Sequence, residues 1–146
     1  MCNLQQICLW YTQYLYMSNK IADYLREHIT GEVSSDARTL DYFSTDGSVL
    51  NITPQVAVYP QNTQDVRKVL RFCWRLAEKG TILPVTARGS GTDQAGGALG
   101  DGVILALPAH MNKILSLDAK TGSVTVQPGL NYRSLQNTLN THGLFL

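Results

Sequence analysis

The sequence of 146 residues is short of charge, cysteine and histidine. Charged residues make up 16%, the formal net charge is +1, and no long basic run occurs, which argues against a nucleic-acid partner. Cys2, Cys8 and Cys73 give an odd count without a CxxC pair, and His28, His110 and His142 lie far apart. A disulfide framework and a metal site are therefore not expected, and a reducing cytoplasm is the simplest compartment. Residues 1–19 carry no charge. Their apolar runs fall far short of the roughly twenty residues of a membrane span, and they lack the basic start and cleavage site of a signal peptide. Leu4, Ile7, Cys8, Tyr11 and Leu15 recur at helical spacing, so this stretch reads as a packing helix or a disordered lead-in. It has no Lys/Arg face for a membrane surface, although peripheral attachment stays open.

What is present is enough apolar residue, 44%, to bury a real core in one domain. The most informative stretch is Arg88-Gly89-Ser90-Gly91-Thr92-Asp93-Gln94-Ala95-Gly96-Gly97-Ala98, between the apolar runs Ile82–Val85 and Val103–Leu107. Glycine lets backbone approach a ligand closely, and converging amides beside an arginine make an anion site. The first reading is a cradle for a diphosphate; an ordinary glycine turn is the alternative.

Along the chain, Ile21, Tyr24, Leu25 and His28-Ile29 share a face of a helix from Asn19 that Gly31 stops. His28 reads as a helix-end residue. Residues 36–48 are turn-rich, with Tyr42 and Phe43 as anchors. Val56–Pro60 is a buried strand ended by proline. Asn62 then caps a helix, with Asp65 three residues on; Val66, Val69, Leu70, Cys73, Leu76 and Ala77 form its apolar face. Arg67, Lys68, Arg71 and Arg75 lie on or near the other side, where a solvated surface is the commoner reading than a nucleic-acid face. Cys73 is read as core. Lys79-Gly80 closes the helix and Thr81–Thr86 is the next strand. Strand, helix and strand in this span make a βαβ unit with parallel strands, so the glycine loop leaves the carboxyl end of a strand, where open α/β sheets bind ligands. Gly102–Leu107 is expected to open an antiparallel set. Ile114–Leu117 and Ser123–Val126 form a hairpin about Asp118–Gly122, and a last helix from Asn131 ends at Gly143. Residues 142–146 read as the start of a further strand, as if a downstream part followed.

Several chemistries do not fit the loop. Gln94 stands where the dinucleotide fingerprint needs glycine or alanine, and no Gly-Lys-Ser/Thr follows. Gly-x-Ser-x-Gly spacing is absent and no histidine is near in sequence, so a hydrolase built on Ser90 is remote.

Four motifs occur in order: Val58–Val66, Pro84–Thr92, Gly96-Gly97-Ala98 and Val124–Gly129. This order resembles the FAD-binding domain (PCMH-type) of the vanillyl-alcohol oxidase / p-cresol methylhydroxylase superfamily. Within it, the chain is most similar to the FAD-linked oxidases that include D-lactate dehydrogenase, glycolate oxidase and 2-hydroxyglutarate dehydrogenase. The segment Tyr42–Ser48 is similar to one in those enzymes. The likeness runs from about Leu40 to the end.

The resemblance implies that Arg88, Gly89, Ser90, Gly91 and Thr92 wrap the FAD diphosphate and that Gly96, Gly97 and Ala98 form the second part of the loop. It implies Pro60 as a wall of the adenosine site, and Gln127, Pro128 and Gly129 as a strand end near the cofactor. Some relatives attach flavin to a histidine directly after the loop's last glycine; Thr92 stands there, which implies non-covalent FAD. The family's catalytic acid/base groups and most substrate contacts come from later segments, so no catalytic residue is assigned here. The implied activity is oxidation of a small 2-hydroxy acid or related alcohol by hydride transfer to flavin; the alternative is a non-catalytic nucleotide-binding or assembly module. The expected fold is α+β, a small parallel βαβ layer followed by antiparallel strands, with residues 1–50 a helical and turn segment and 51–146 the N-terminal part of the FAD-binding domain.

Overall fold

The computed structural model describes residues 17–146. The expectation for residues 1–16, with Cys2 and Cys8, lies outside the described residues. From residue 17 the chain runs through helix α1 over 17–28, strand β1 (Glu32–Ser34), helix α2 (Ala37–Phe43) and strand β2 (Val56–Tyr59). Helix α3 (Thr63–Glu78), strands β3 (Val85–Arg88) and β4 (Val103–Ala106) and a 3-10 turn (Leu107–Ala109) follow. Strands β5 (Ile114–Asp118) and β6 (Ser123–Val126) and helix α4 (Tyr132–Thr141) complete it.

The fold is α+β, a four-stranded sheet in the order β1-β2-β4-β3 beside a two-stranded antiparallel hairpin. One expectation is corrected: β4 does not open the antiparallel set. It pairs in parallel with both β2 and β3 and separates them. The reason is visible in its residues, since Val103, Ile104, Leu105 and Ala106 are all buried, as a strand covered on both faces must be. The antiparallel hairpin begins at Ile114. Residues 89–102 therefore return the chain from the carboxyl edge of the sheet to its other edge.

The pleat sorts the core. Val56, Val58, Val103 and Leu105 pack with Ile21, Ala22, Leu25 and Ile29 of the α1 segment and with Val69 and Cys73 of α3. Alternate residues Ala57, Ile104 and Ala106 pack on Phe43 of α2. Burial of each large apolar side chain here contributes about 1.5–3 kcal/mol.

Helix α3 starts as read, with the Asn62 side chain accepting from the amides of Gln64 and Asp65. Asp65 does not reach back to the cap. Its buried carboxylate accepts from Thr30 N (3.0 Å), Thr30 Oγ1 (2.8 Å), Gly31 N (3.1 Å) and Gln61 N (3.0 Å), which ties the α1–β1 turn to α3. Burial pushes this carboxyl up, but the bonds from Thr30, Gln61 and Gly31 together hold it below the ordinary aspartate value. Leu70 lies on the outer side of α3, 47% exposed, rather than on its packed face.

Three further differences are local. Residues 37–43, read as turns, form α2 because Asp36 caps it at Thr39 N. Strand β1 is formed by Glu32-Val33-Ser34, which pairs with β2 at the sheet edge. Residues 142–146 form no strand: the amides of Gly143 and Leu144 bond back to Asn140 and Leu139 and close α4. Among the described residues no helix is long and apolar enough to cross a membrane.

Candidate functional site

The parallel strands end side by side at Tyr59, Arg88 and Ala106. A cleft of about 350 Å³ opens over these ends, lined by Tyr42, Phe43, Tyr59, Arg88, Gly89, Ser90, Ala106, Pro108 and Ala109. Its position follows from topology, because the carboxyl edge of parallel strands leaves loops and free amides facing outward. Its walls combine three aromatic rings with a cation and loop backbone, a composition suited to a ligand with a flat apolar part and an anionic part.

Arg88 is the centre of the arrangement. It is 5% exposed. Its Nη1 donates to the Phe43 carbonyl at 3.3 Å and its Nη2 to the Thr45 carbonyl at 2.8 Å. The guanidinium lies 5.2 Å from the Phe43 ring and 5.9 Å from the Tyr42 ring. Among the described residues no carboxylate forms an ion pair with it. A buried cation whose hydrogen bonds go only to carbonyls, with Asp46 near it but not ion-paired, keeps positive potential at the cleft floor, which favours an anion there. The segment after α2 is thus clamped beneath the loop. Asp46 in that segment is held below the ordinary aspartate value, chiefly by hydrogen bonding from Ser48, against burial and with help from the Arg88 charge. Its Oδ2 is buried with no hydrogen-bond partner among the described residues.

The glycine loop divides into two parts. In the first, the amides of Ser90, Gly91 and Thr92 donate to no described residue, and Ser90 and Thr92 are exposed. Gly91 has φ +67°, and a Cβ there would stand 2.3 Å from an Arg88 guanidinium nitrogen, so only glycine fits over the clamp. In the second part, Asp93 Oδ2 accepts from the amides of Ala95 (3.0 Å) and Gly97 (2.6 Å). Those donors are already used by an internal carboxylate, which holds residues 93–97 in one shape.

Of the residues singled out in the sequence, Arg88, Gly89 and Ser90 meet on the cleft lining. Gly91 and Thr92 continue directly from them. Gly96, Gly97 and Ala98 lie in the second part of the loop, outside the lining. Pro60 is buried immediately after Tyr59. Gln127, Pro128 and Gly129 are not on the cleft lining; Gly129 alone reaches the turn beside it, where its N donates to the Met111 carbonyl at 2.8 Å and a Cβ on it would come within 2.4 Å of the Leu107 carbonyl oxygen. Sequence reasoning missed Tyr59 as a cleft wall, the clamp between Arg88 and residues 43–45, and Asp93 as the loop's internal anion. The first had a signal, an aromatic at a strand end just before proline. The clamp had none, because nothing local links residues 43 positions apart. Among the described residues no group of three or more His, Cys, Asp or Glu could hold a metal ion.

Comparison with known proteins identifies the family and the fold. A family model described as FAD binding domain matches residues 54–146. A D-2-hydroxyglutarate dehydrogenase of Pseudomonas putida is 35% identical over 115 residues, covering 79% of this chain and 11% of the relative. A mitochondrial D-lactate dehydrogenase [cytochrome] of Kluyveromyces lactis is 34% identical over 113 residues, covering 75% of this chain and 19% of the relative. The chain thus spans only a small part of these relatives' length. In three dimensions it is similar to 4-ethylphenol oxidase from Gulosibacter chungangensis, with a TM-score of 0.65 at 21% identity over 86% of this chain and 24% of that one. An alkyldihydroxyacetonephosphate synthase gives a TM-score of 0.71 at 15% identity over 86% of this chain and 25% of that one. These structural likenesses speak to the fold.

Proposed function

This chain belongs to the FAD binding domain family, and on that premise we propose that the amides of residues 89–92, above the buried charge of Arg88, hold the diphosphate of FAD. The observation that carries the proposal is the set of free amides at Ser90, Gly91 and Thr92, next to an aromatic cleft at the carboxyl edge of three parallel strands. A diphosphate there would gain charge-assisted hydrogen bonds from donors that otherwise face water. Tyr42, Phe43 and Tyr59 supply apolar wall for the nucleoside beside it, with Pro60 fixing the strand end behind Tyr59. Gly96, Gly97 and Ala98 act in this reading through the shape of the loop, and Gln127, Pro128 and Gly129 through Gly129, which supports the turn at Leu107–Ala109.

The bound FAD supplies the hydride acceptor; this chain's residues supply position and charge. The proposed activity of the whole protein is oxidation of a small 2-hydroxy acid, with the substrate held mainly outside the residues present here. Support comes from the D-2-hydroxyglutarate and D-lactate dehydrogenases among the relatives. FAD is proposed to bind without a covalent link, because Thr92 has no nucleophilic nitrogen to offer. The compartment is proposed to be cytoplasmic, from the odd cysteine count without a CxxC pair, and the domain to take no nucleic acid, in keeping with the net charge of +1.

The test is titration of the purified chain with FAD, followed by thermal melting. Binding with a rise in Tm supports the cradle, since a ligand held only by the native state stabilises it. Release of all flavin on acid precipitation supports the non-covalent link. Absence of both binding and stabilisation overturns the reading for this chain. Dye-linked turnover of D-lactate, glycolate or D-2-hydroxyglutarate by the full-length protein tests the activity.

A further inference from the structure

The outer face of α3 is used by neither the core nor the cleft. Arg67, Lys68, Arg71 and Arg75 are exposed along it. Lys68 Nζ donates to the His28 carbonyl at 2.6 Å. Arg67, Arg71 and Arg75 have no hydrogen-bond or ion-pair partner among the described residues. Interleaved with these cations are two apolar side chains that a solvated helix has no reason to present, Trp74 at 68% exposure and Leu70 at 47%. The only acid on this face of α3 is Glu78, whose carboxylate accepts from Trp74 Nε1 at 3.0 Å. Between α3 and α1, the side chains of Lys68, Arg71, Phe72 and Arg75 meet Tyr24 and His28 around a depression of about 170 Å³. Tyr24 stacks on Phe72 at 4.6 Å and on His28 at 4.0 Å, so its floor is aromatic and its rim cationic.

We propose that this face of α3 docks the domain on a membrane surface carrying anionic phospholipids. Charge complementarity selects the occupant. Cations of one sign along a helix, with tryptophan and leucine between them, match a plane of phosphates above an apolar layer. Arginines engage the headgroups, Trp74 sits at the interface as indole rings do, and Leu70 reaches the acyl boundary. The depression at Tyr24 and Phe72 is open enough to take one headgroup phosphate between Arg71 and Arg75. Duplex nucleic acid fits less well, because it would leave Trp74 and Leu70 against a hydrophilic backbone. The cleft opens at the carboxyl edge of the sheet, whereas this surface lies on the outer side of a helix that covers one sheet face. Docking would therefore leave the cleft open.

The experiment is co-sedimentation of the whole chain with vesicles of phosphatidylcholine alone and of phosphatidylcholine mixed with phosphatidylglycerol. Trp74 emission is read in a W10F background, since Trp10 and Trp74 are the chain's two tryptophans. The expected result is binding to the anionic vesicles only, weakening as salt is raised, with a blue shift of Trp74 emission. The R71E/R75E variant should bind at least about tenfold more weakly, and W74A should lose affinity with its salt dependence kept. Circular dichroism and melting of both variants show whether they stay folded; R71Q/R75Q provides a milder change should the reversal unfold the chain. Equal binding to neutral vesicles overturns the proposal, as does binding undiminished in R71E/R75E and R71Q/R75Q. A face that ignores vesicles but retains duplex DNA or a polyglutamate peptide also overturns it.

Discussion

Arg88 Nη2 donates to the Thr45 carbonyl at 2.8 Å across 43 residues of chain, so the residue that opens the glycine loop also fixes the segment beneath it. The loop's charge and its support are one side chain. This relation sets what substitutions there should do.

Arg88→Ala removes a buried bond to the Phe43 carbonyl, a part-buried one to the Thr45 carbonyl, and the contacts with the Phe43 and Tyr42 rings. It should lower stability by about 2–4 kcal/mol and weaken FAD binding together. Arg88→Lys keeps the charge but lacks the planar fork that reaches two carbonyls, so it should recover only part of either. Urea unfolding and FAD titration of both variants measure this; a Lys variant equal to the native chain would contradict the clamp.

Asp65→Asn should cost about 1–3 kcal/mol at neutral pH, because four donors converge on that carboxylate. The pH dependence has a definite sign. The folded carboxyl titrates below the ordinary aspartate value of 3.8, so its contribution is fully present above that value and is lost as pH falls through the lower folded one. The Asn variant should therefore show a flatter loss of stability below about pH 4, measured as Tm against pH.

Cys73 is buried and its thiol is pushed up to about 11 by desolvation. At pH 8 roughly one thiol in a thousand would be ionised, and it would be shielded as well. In a C2S/C8S background, labelling by a disulfide reagent should be negligible in the folded state and complete in urea. Rapid labelling of native protein would contradict the packing of α3.

Gly91→Ala should disturb the clamp as well as the loop. It places a side chain at φ +67° and within 2.3 Å of the Arg88 guanidinium. A loss of about 1–3 kcal/mol in stability is expected, alongside weaker FAD binding.

Much of this was legible in the sequence where the information is local. The Asn62 cap, the α3 period, the β5–β6 hairpin and the glycine loop at a strand end each depend on neighbours within a few residues. The position of β4 was legible too, in four consecutive apolar residues, the pattern of a strand covered on both faces. Leu70 was misplaced because an apolar residue at core spacing looks the same whether it faces the sheet or the outer surface. Helix α2 was hidden by turn-forming residues whose cap, Asp36, is what starts it. The Arg88–Thr45 clamp, the Asp65 hub and the Glu32–His110 contact at 2.6 Å join residues far apart in the chain, and no spacing rule links them. The Asp93 bonds to Ala95 and Gly97 are local, and an acidic residue inside a glycine loop was their available sign.

Gly89 separates the cradle from the fold most cleanly. It lines the cleft, and a Cβ added there meets nothing within 4 Å. The decisive measurement is FAD affinity of Gly89→Val beside the native chain, with the melting temperature of each without ligand. Unchanged apo stability, within about 0.5 kcal/mol, with FAD affinity lowered at least about tenfold is the expected result. Equal FAD affinity in the two proteins would contradict the placement of the diphosphate on residues 89–92.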